Sequence, residues 1–403
     1  MAETPARGRL RPESPAGTVL LTALVAIGSF SVSIYTPSMP ALVADFHTES
    51  ALVKLTLSLF LVGFALAQLA YGPLSDRFGR RPVLVGGLAV YVAGSVACAI
   101  APSIEAMIAG RFLQAVGACA GPVLGRAVVR DVHGREGTAR VLAWIGAATT
   151  LSPAIGPTLG GSIHVWLGWR ANFVLLAVLG AALLATAWRL LGETNRQLDP
   201  VAIRVAAMAG NYRRLLTDRR YLGYALSGSC IYAGLYSWIA AAPFLFVERL
   251  GFSPDRYGAL TIVTTGSYIA GSLVAARLTH RAGLDRMILI GCSLAVAGAG
   301  SMSLLALAAT LSAAALIGPM MLFSFGMGLV LANAMAGGLL PFPRMAGTAS
   351  ALLGFAQMAL AALATMLVAA LPPLSARSMS GVILLLALAG LVFRLTLVGR
   401  RAR

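Results

Sequence analysis

The chain has 403 residues, 58% of them hydrophobic and 11% charged, with a formal net charge of +17 and a mean hydropathy of +0.84. That composition excludes an ordinary water-soluble domain, in which about 25% of residues are charged. The basic excess excludes nothing by itself, because it serves membrane topology as readily as nucleic-acid binding.

A helix needs about 20 mostly apolar residues to cross about 30 Å of hydrocarbon. Stretches of that length recur from Gly17 almost to the C-terminus, and twelve spans are predicted. They lie at 18–44, 51–74, 82–102, 105–128, 138–165, 170–191, 221–247, 257–279, 286–308, 312–338, 345–370 and 378–398. Lipid offers the backbone no hydrogen-bond partners, so the expected fold class is all-α. A β-barrel would show short alternating strands instead. Residues 1–17 carry arginines and prolines but no small-residue cleavage site after a short apolar core, so the first span reads as retained.

Lys54, at the start of the second span, is the chain's only lysine. It reads either as an interfacial cation that snorkels or as a charge facing a cavity. Between the second and third spans, "YGPLSDRFGRRPVLVGG" concentrates Asp76, Arg77, Arg80 and Arg81 in one turn. Gly72 is expected to admit a neighbouring helix, and Gly79 to make the turn. Asp76 is placed to meet Arg77, Arg80 or Arg130, the last of which is followed by Asp131.

In the fourth span, Arg111 and Gln114 share a helical face. A cation at the centre of a bilayer costs on the order of 3 kcal/mol, so Arg111 is expected to be functional. In the fifth span, Pro153 and Pro157 each delete a backbone hydrogen bond, while Gly156, Gly160 and Gly161 leave a smooth face; a bent, closely packed helix is expected.

Residues 192–220 form the longest connection and separate six spans from six. The domains expected are a tail at 1–17, a first bundle at 18–191, a cytoplasmic loop at 192–220, a second bundle at 221–398 and a tail at 399–403. A faint repeat supports two related halves: "GPLSDRFG" at 72–79 aligns with "ARLTHRAG" at 276–283. In the second half, Tyr232 and Tyr236 are one turn apart, Thr265 and Tyr268 share a face, and Asn333, Phe355 and Gln357 add polar and aromatic surface. These residues and Lys54 are candidate cargo contacts, although such groups also serve packing between helices.

The predicted loops are asymmetric. One side holds only Lys54, Arg170, Arg249, Arg256 and Arg377, and nearly all other basic residues fall on the side of the N-terminus. Both termini and the 192–220 loop are therefore expected in the cytoplasm, and nucleic acid is excluded as a partner. Cys98, Cys119, Cys230 and Cys292 fall inside spans without pairing motifs. His47, His133, His164 and His280 are scattered, and no phosphate loop occurs. Neither metal nor cofactor is expected, and an enzyme is disfavoured.

Two six-span halves, the "GPLSDRFGRR" turn, "RFLQAVGA" at 111–118 and "LSPAIGPTLGG" at 151–161 together resemble the major facilitator superfamily of secondary transporters. "RDVHGREGTAR" at 130–140, "GWRANF" at 168–173 and "GET" at 192–194 resemble its bicyclomycin and chloramphenicol resistance branch. The resemblance implies twelve helices in two pseudo-symmetric bundles, alternating access, and export of amphipathic drugs by proton antiport across the bacterial inner membrane, by a monomer surrounded by lipid. It also implies that the 72–81 turn, with Arg130 and Asp131, latches the halves on the cytoplasmic side. By the same resemblance, Arg111 faces the cavity and links cargo to protons.

One departure matters. The branch commonly has an acid in the first span before Tyr-x-Pro, but "SVSIYTPSMP" has Ser33 there, ahead of Tyr35. Every acidic residue falls at a span end or in a loop on the predicted boundaries. Asp76 or Asp131, Asp45 or Glu105, or the charge of the cargo itself could take over coupling. A metabolite exporter or a facilitator without proton coupling is the alternative.

Overall fold

The computed structural model describes residues 14–133, 135–195, 197–199, 205–372 and 374–398. The C-terminal tail expected at 399–403, and all but the end of the N-terminal one, lie outside them. The first half contains α1 (Pro15–Ser33), α2 (Met39–Asp45), α3 (Ser50–Phe78), α4 (Arg80–Ala99), α5 (Ile104–Ala118), α6 (Ala120–Val132), α7 (Arg135–Leu167) and α8 (Arg170–Leu190). Helix α9 (Val205–Thr217) lies within the connection read as a loop. The second half contains α10 (Arg219–Phe244), α11 (Pro254–Ala282), α12 (Leu284–Leu307), α13 (Ala313–Leu339), α14 (Ala346–Ala370) and α15 (Ala376–Leu397).

Eleven helical segments among the described residues are long and apolar enough to cross a membrane. Helix α7, 33 residues long, adds about 50 Å of helix at 1.5 Å per residue. Two expected spans are compound. The first stops at Ser33, passes through a 3₁₀ turn at Thr36–Ser38 and resumes as α2, because Pro37 and Pro40 cannot donate to the preceding turn. The fourth consists of α5 and α6, which meet at Cys119 just before Pro122. By contrast, α7 continues through Pro153 and Pro157. Side chains close several helix starts: Ser103 accepts from the Ala106 N–H, Asp218 from Tyr221 and Ser312 from Ala315.

The helices alternate in direction. The turns after α3, α6, α8, α11 and α13 form one end, which carries Arg80, Arg81, Arg130, Arg213, Arg214, Arg219, Arg220 and Arg281. This is the arginine-rich end; the opposite end holds the α2 segment and the start of α3.

Two antiparallel seams join the halves. Along α3 and α14, the Ser58 and Thr365 hydroxyls hydrogen-bond at 2.8 Å, and Gln68 lies so close to Gly354 that a Cβ there would meet its amide. Along α7 and α11, Thr158 Oγ1 donates to the Gly258 carbonyl at 3.1 Å. Gly258 also lies on the Pro157 carbonyl, and Gly161 on the Pro254 carbonyl. Side chains at these glycines would push the backbones apart, so the close approach depends on them.

Candidate functional site

Arg111 is completely buried in the first half, and among the described residues no carboxylate pairs with it. Its guanidinium carbon lies 4.2 Å from the ring centroids of both Tyr35 and Phe60, and 5.8 Å from that of Phe173. Nη1 donates to the Ser31 carbonyl at 3.1 Å and to Gln114 Oε1 at 2.5 Å. Gln114 passes the chain of hydrogen bonds to Ser95 at 2.8 Å, and the Ser31 hydroxyl meets the Tyr91 hydroxyl at 2.8 Å. The Tyr35 hydroxyl is engaged by Thr56 at 3.1 Å.

Nε and Nη2 of Arg111 have no partner. A desolvated cation gains about 2 kcal/mol or more from an aromatic face, which offsets part of its burial cost without neutralising it. The site therefore keeps a positive charge inside the first half. The pair of Arg111 and Gln114 was readable from spacing. Phe60, Ser31 and Ser95 come from other helices and leave no local signal.

Ser33 is buried on the other face of α1. Its hydroxyl donates to the Ser152 carbonyl at 3.1 Å, and a Cβ at Gly156 would collide with it. Gly160 lies in the same way on the Ile34 carbonyl, while Gly161 faces the second half. The small residues of the α7 motif thus seat α1 on one face and α11 on the other.

At the arginine-rich end, Arg80 gathers the turn. Its guanidinium binds Asp76 at 2.6 Å and Asp131 at 3.0 Å, and donates to Ser75 Oγ at 2.5 Å. Glu193 accepts from the backbone N–H groups of Arg80 at 2.8 Å and Arg81 at 3.1 Å. This places a carboxylate at the positive start of α4, a role for the "GET" motif that its spacing did not reveal. Arg81 reaches the Trp188 carbonyl, and Arg77 lies over Phe78. Arg130 is exposed. Gly72 does not serve the close approach expected of it, because a Cβ there would meet nothing. These partners lie in the first half or, like Glu193, in the connection that follows it, and among the described residues none of these bonds reaches the second half.

The other acids are placed by the opposite end. Asp45 accepts from Trp169 Nε1 at 2.6 Å and pairs with Arg170 at 3.6 Å, and Asn172 Nδ2 reaches Ser38 and the Gly160 carbonyl, so "GWRANF" clamps the end of the first span. Glu105 is exposed in the first turn of α5.

The candidate cargo contacts divide. The Tyr232 and Tyr236 rings lie tilted with centroids 4.9 Å apart and hydroxyls 3.2 Å apart on α10. Thr265 is buried and Tyr268 is half-buried, both on α11. Phe355 and Gln357 are half-buried on α14. Asn333 instead spends both groups locally, accepting from Thr279 and donating to the Leu329 carbonyl. Lys54 does not snorkel; it is 3% exposed. Among the described residues, no group of three or more His, Cys, Asp or Glu could hold a metal, and the four cysteines are free and buried.

Two six-helix halves meeting along glycine-lined seams, one with an uncompensated cation at its centre, define the class: a multi-pass secondary transporter. The chain belongs to the major facilitator superfamily, whose family model matches residues 21–365. Among curated proteins, it is 33% identical to a chloramphenicol resistance protein of Pseudomonas aeruginosa over 83% of this chain and 79% of that one. It is 31% identical to the multidrug transporter MdfA of Yersinia pestis (strain Angola), over 80% and 78%. Among solved structures, a D-xylose-proton symporter superposes with a TM-score of 0.78, covering 95% of this chain and 98% of the other at 16% identity, a likeness of fold.

Proposed function

We propose that this transporter exports amphipathic small organic molecules across the bacterial inner membrane by alternating access and proton antiport, with both termini and the arginine-rich end in the cytoplasm. The relatives named for chloramphenicol and multidrug resistance support the cargo class. The observation that carries the finer reading is Arg111, whose charge meets aromatic faces and amides but no acid. A positive centre disfavours lipophilic cations, so neutral, zwitterionic or anionic amphipaths are the preferred cargo.

Protons are assigned to Asp76 and Asp131. They share one arginine, Arg80, at the arginine-rich end. The observation that favours an uncoupled facilitator is Ser33, which fills the acid's position and spends its hydroxyl on the Ser152 carbonyl.

Expression in a strain without its own efflux pumps, followed by a susceptibility panel, tests the cargo. Protection against neutral and anionic amphipaths, weaker protection against lipophilic cations, and at least a tenfold loss in Arg111→Ala at equal membrane abundance are expected. Uniform lack of protection would point to a dedicated metabolite. In liposomes, flux that ignores a pH gradient of either sign would remove proton coupling.

A further inference from the structure

The end opposite the arginine-rich end holds few basic residues, and two of them share a cavity. Lys54 is buried with its Nζ 5.2 Å from the centroid of the Phe244 ring, and Arg170 pairs with Asp45. Arg249, in the π-turn Leu245–Arg249 that ends the α10 segment, and Arg377, in the first turn of α15, instead line one cavity of about 390 Å³. Met302, Ala315 and Leu316 form its buried apolar wall, Thr310 and Ser375 are its neutral polar residues, and no acidic residue lines it. Glu248, the neighbour of Arg249, is exposed and lies outside the lining. Arg377 is held in place at the end of α12, where its Nε donates to the Ala306 carbonyl at 3.2 Å and its Nη2 to the Leu307 carbonyl at 3.3 Å. Among the described residues no acid pairs with Arg249 or Arg377. Ala309 and Leu374, at φ 55° and 56°, also line the cavity, and backbone held in the left-handed region gathers at ligand sites.

We propose that this cavity holds the headgroup of an anionic phospholipid in the leaflet at that end, its phosphate on Arg249 and Arg377 and an acyl chain along α15. The proposal needs only that the chain spans a bilayer, and rests on neither the cargo nor the proton reading.

Charge selects the headgroup. Guanidinium groups match phosphate oxygens in geometry and sign, and two of them without an acid favour a headgroup of net negative charge over a zwitterion, whose ammonium would find no carboxylate here. The starts of α13 and α15 add charge of the same sign, while Arg377 covers the negative end of α12. The face below the cavity selects a lipid over a free anion. One turn below Arg377 on α15 is Gly381, where a Cβ would meet nothing. Leu388, three turns below on the same face, and Leu385 beside it are 42% and 60% exposed, so an open apolar furrow runs from the arginine into the membrane. From Arg377 to Leu388 the helix runs about 16 Å at 1.5 Å per residue, which is half of about 30 Å of hydrocarbon. That is the reach of an acyl chain in one leaflet. A free phosphate would use the arginines and leave this face unused.

The test must read this site alone, because the arginine-rich end attracts anionic lipid as well. The four native cysteines are buried, so a fluorophore attached through Leu385→Cys reports the lipid that lies against α15. The full chain is reconstituted in vesicles of phosphatidylcholine with a minor share of phosphatidylglycerol, and quenching is compared with bromine on the acyl chains of one lipid or of the other. Phosphatidylglycerol should be preferred about fivefold or more. Arg249→Gln, a change at an exposed side chain, should cut that preference by about half or more, and adding Arg377→Gln should abolish it. Arg281→Gln, at the arginine-rich end, should leave it unchanged. The site is overturned if the preference is below about twofold without these changes, if Arg249→Gln leaves it intact, if it survives both substitutions, or if Arg281→Gln lowers it equally. Drug protection is not read, so loss of the proposed cargo would leave this outcome intact.

Discussion

Where α3 turns into α4, Gly79 has φ 97° and ψ 157°; where α11 turns into α12, Gly283 has φ 83° and ψ 152°. Each glycine N–H caps the helix it ends, Gly79 on the Ser75 carbonyl at 3.1 Å and Gly283 on Thr279 at 2.8 Å. The backbone device is the same in both halves, and the chemistry built on it is not. Helix α4 begins with two arginines, the wrong sign for a helix N-terminus, and its carboxylate arrives from Glu193 beyond α8. Helix α12 carries its own acid, Asp285, which accepts from the Tyr224 hydroxyl at 2.7 Å and pairs with Arg394 at 3.4 Å. The matched hydroxyls diverge as well: Ser75 accepts from Arg80, while Thr279 donates to Asn333 of α13. One turn carries the acid at its helix start in its own sequence, and the other takes it from Glu193, far along the chain. A transporter with two equivalent turns would show equal effects on both sides, so paired substitutions expose the asymmetry.

The largest effect is expected from Arg80→Ala, which releases Asp76 and Asp131 together. Export should fall at least tenfold at equal abundance, while Arg281→Ala in the second turn should leave it near the unsubstituted level, as susceptibility assays would show. Next is Glu193→Ala, which removes the cap of α4 and should cost about 1–2 kcal/mol. Asp285→Asn, at a half-exposed acid, should cost about 1 kcal/mol or less; thermal unfolding in detergent separates the two. A smaller difference is expected between Gly79→Ala and Gly283→Ala. Both place a side chain in an extended positive-φ conformation that essentially only glycine adopts, at about 1–3 kcal/mol, but only at position 79 does the new Cβ also meet a carboxylate, that of Glu193. The midpoint for position 79 should therefore be the lower. The smallest effect belongs to Arg77→Ala, on an exposed side chain, within about 0.5 kcal/mol.

The asymmetry also marks what could be read from the chain. The apolar runs revealed the spans, and the pairing of Gly79 with Gly283 was visible in eight aligned positions, because helix hydropathy and turn glycines are local properties. The break of the first span after Ser33 was written in Pro37 and Pro40, yet a hydropathy pattern runs straight through it. Helix α9 was hidden because its short amphipathic sequence does not look like a span. The aromatic faces around Arg111 and the seat of Lys54 were not legible at all. Phe60, Phe173 and Phe244 reach those cations only through packing between helices far apart in the chain, and no spacing rule connects position 54 to position 244.

The stretch that follows the sixth span has a mechanical consequence. Glu193 is fixed to the start of α4, Asn195 Nδ2 lies 3.4 Å from the Ser75 and Asp76 carbonyls, and the Asp199 N–H donates to the Asp76 carbonyl at 3.0 Å. Helix α9 begins six residues later, at Val205, and its Leu215 packs among Tyr221, Phe342 and Leu353 of the other half. The chain between Asp199 and Val205 can reach no further than about 20 Å at 3.3–3.6 Å per residue. What looks like a generous connector is thus a short leash, tied at one end to the turn that Arg80 organises and at the other to the start of the second half. Any rocking that widens the arginine-rich end must stay within the reach of that connection.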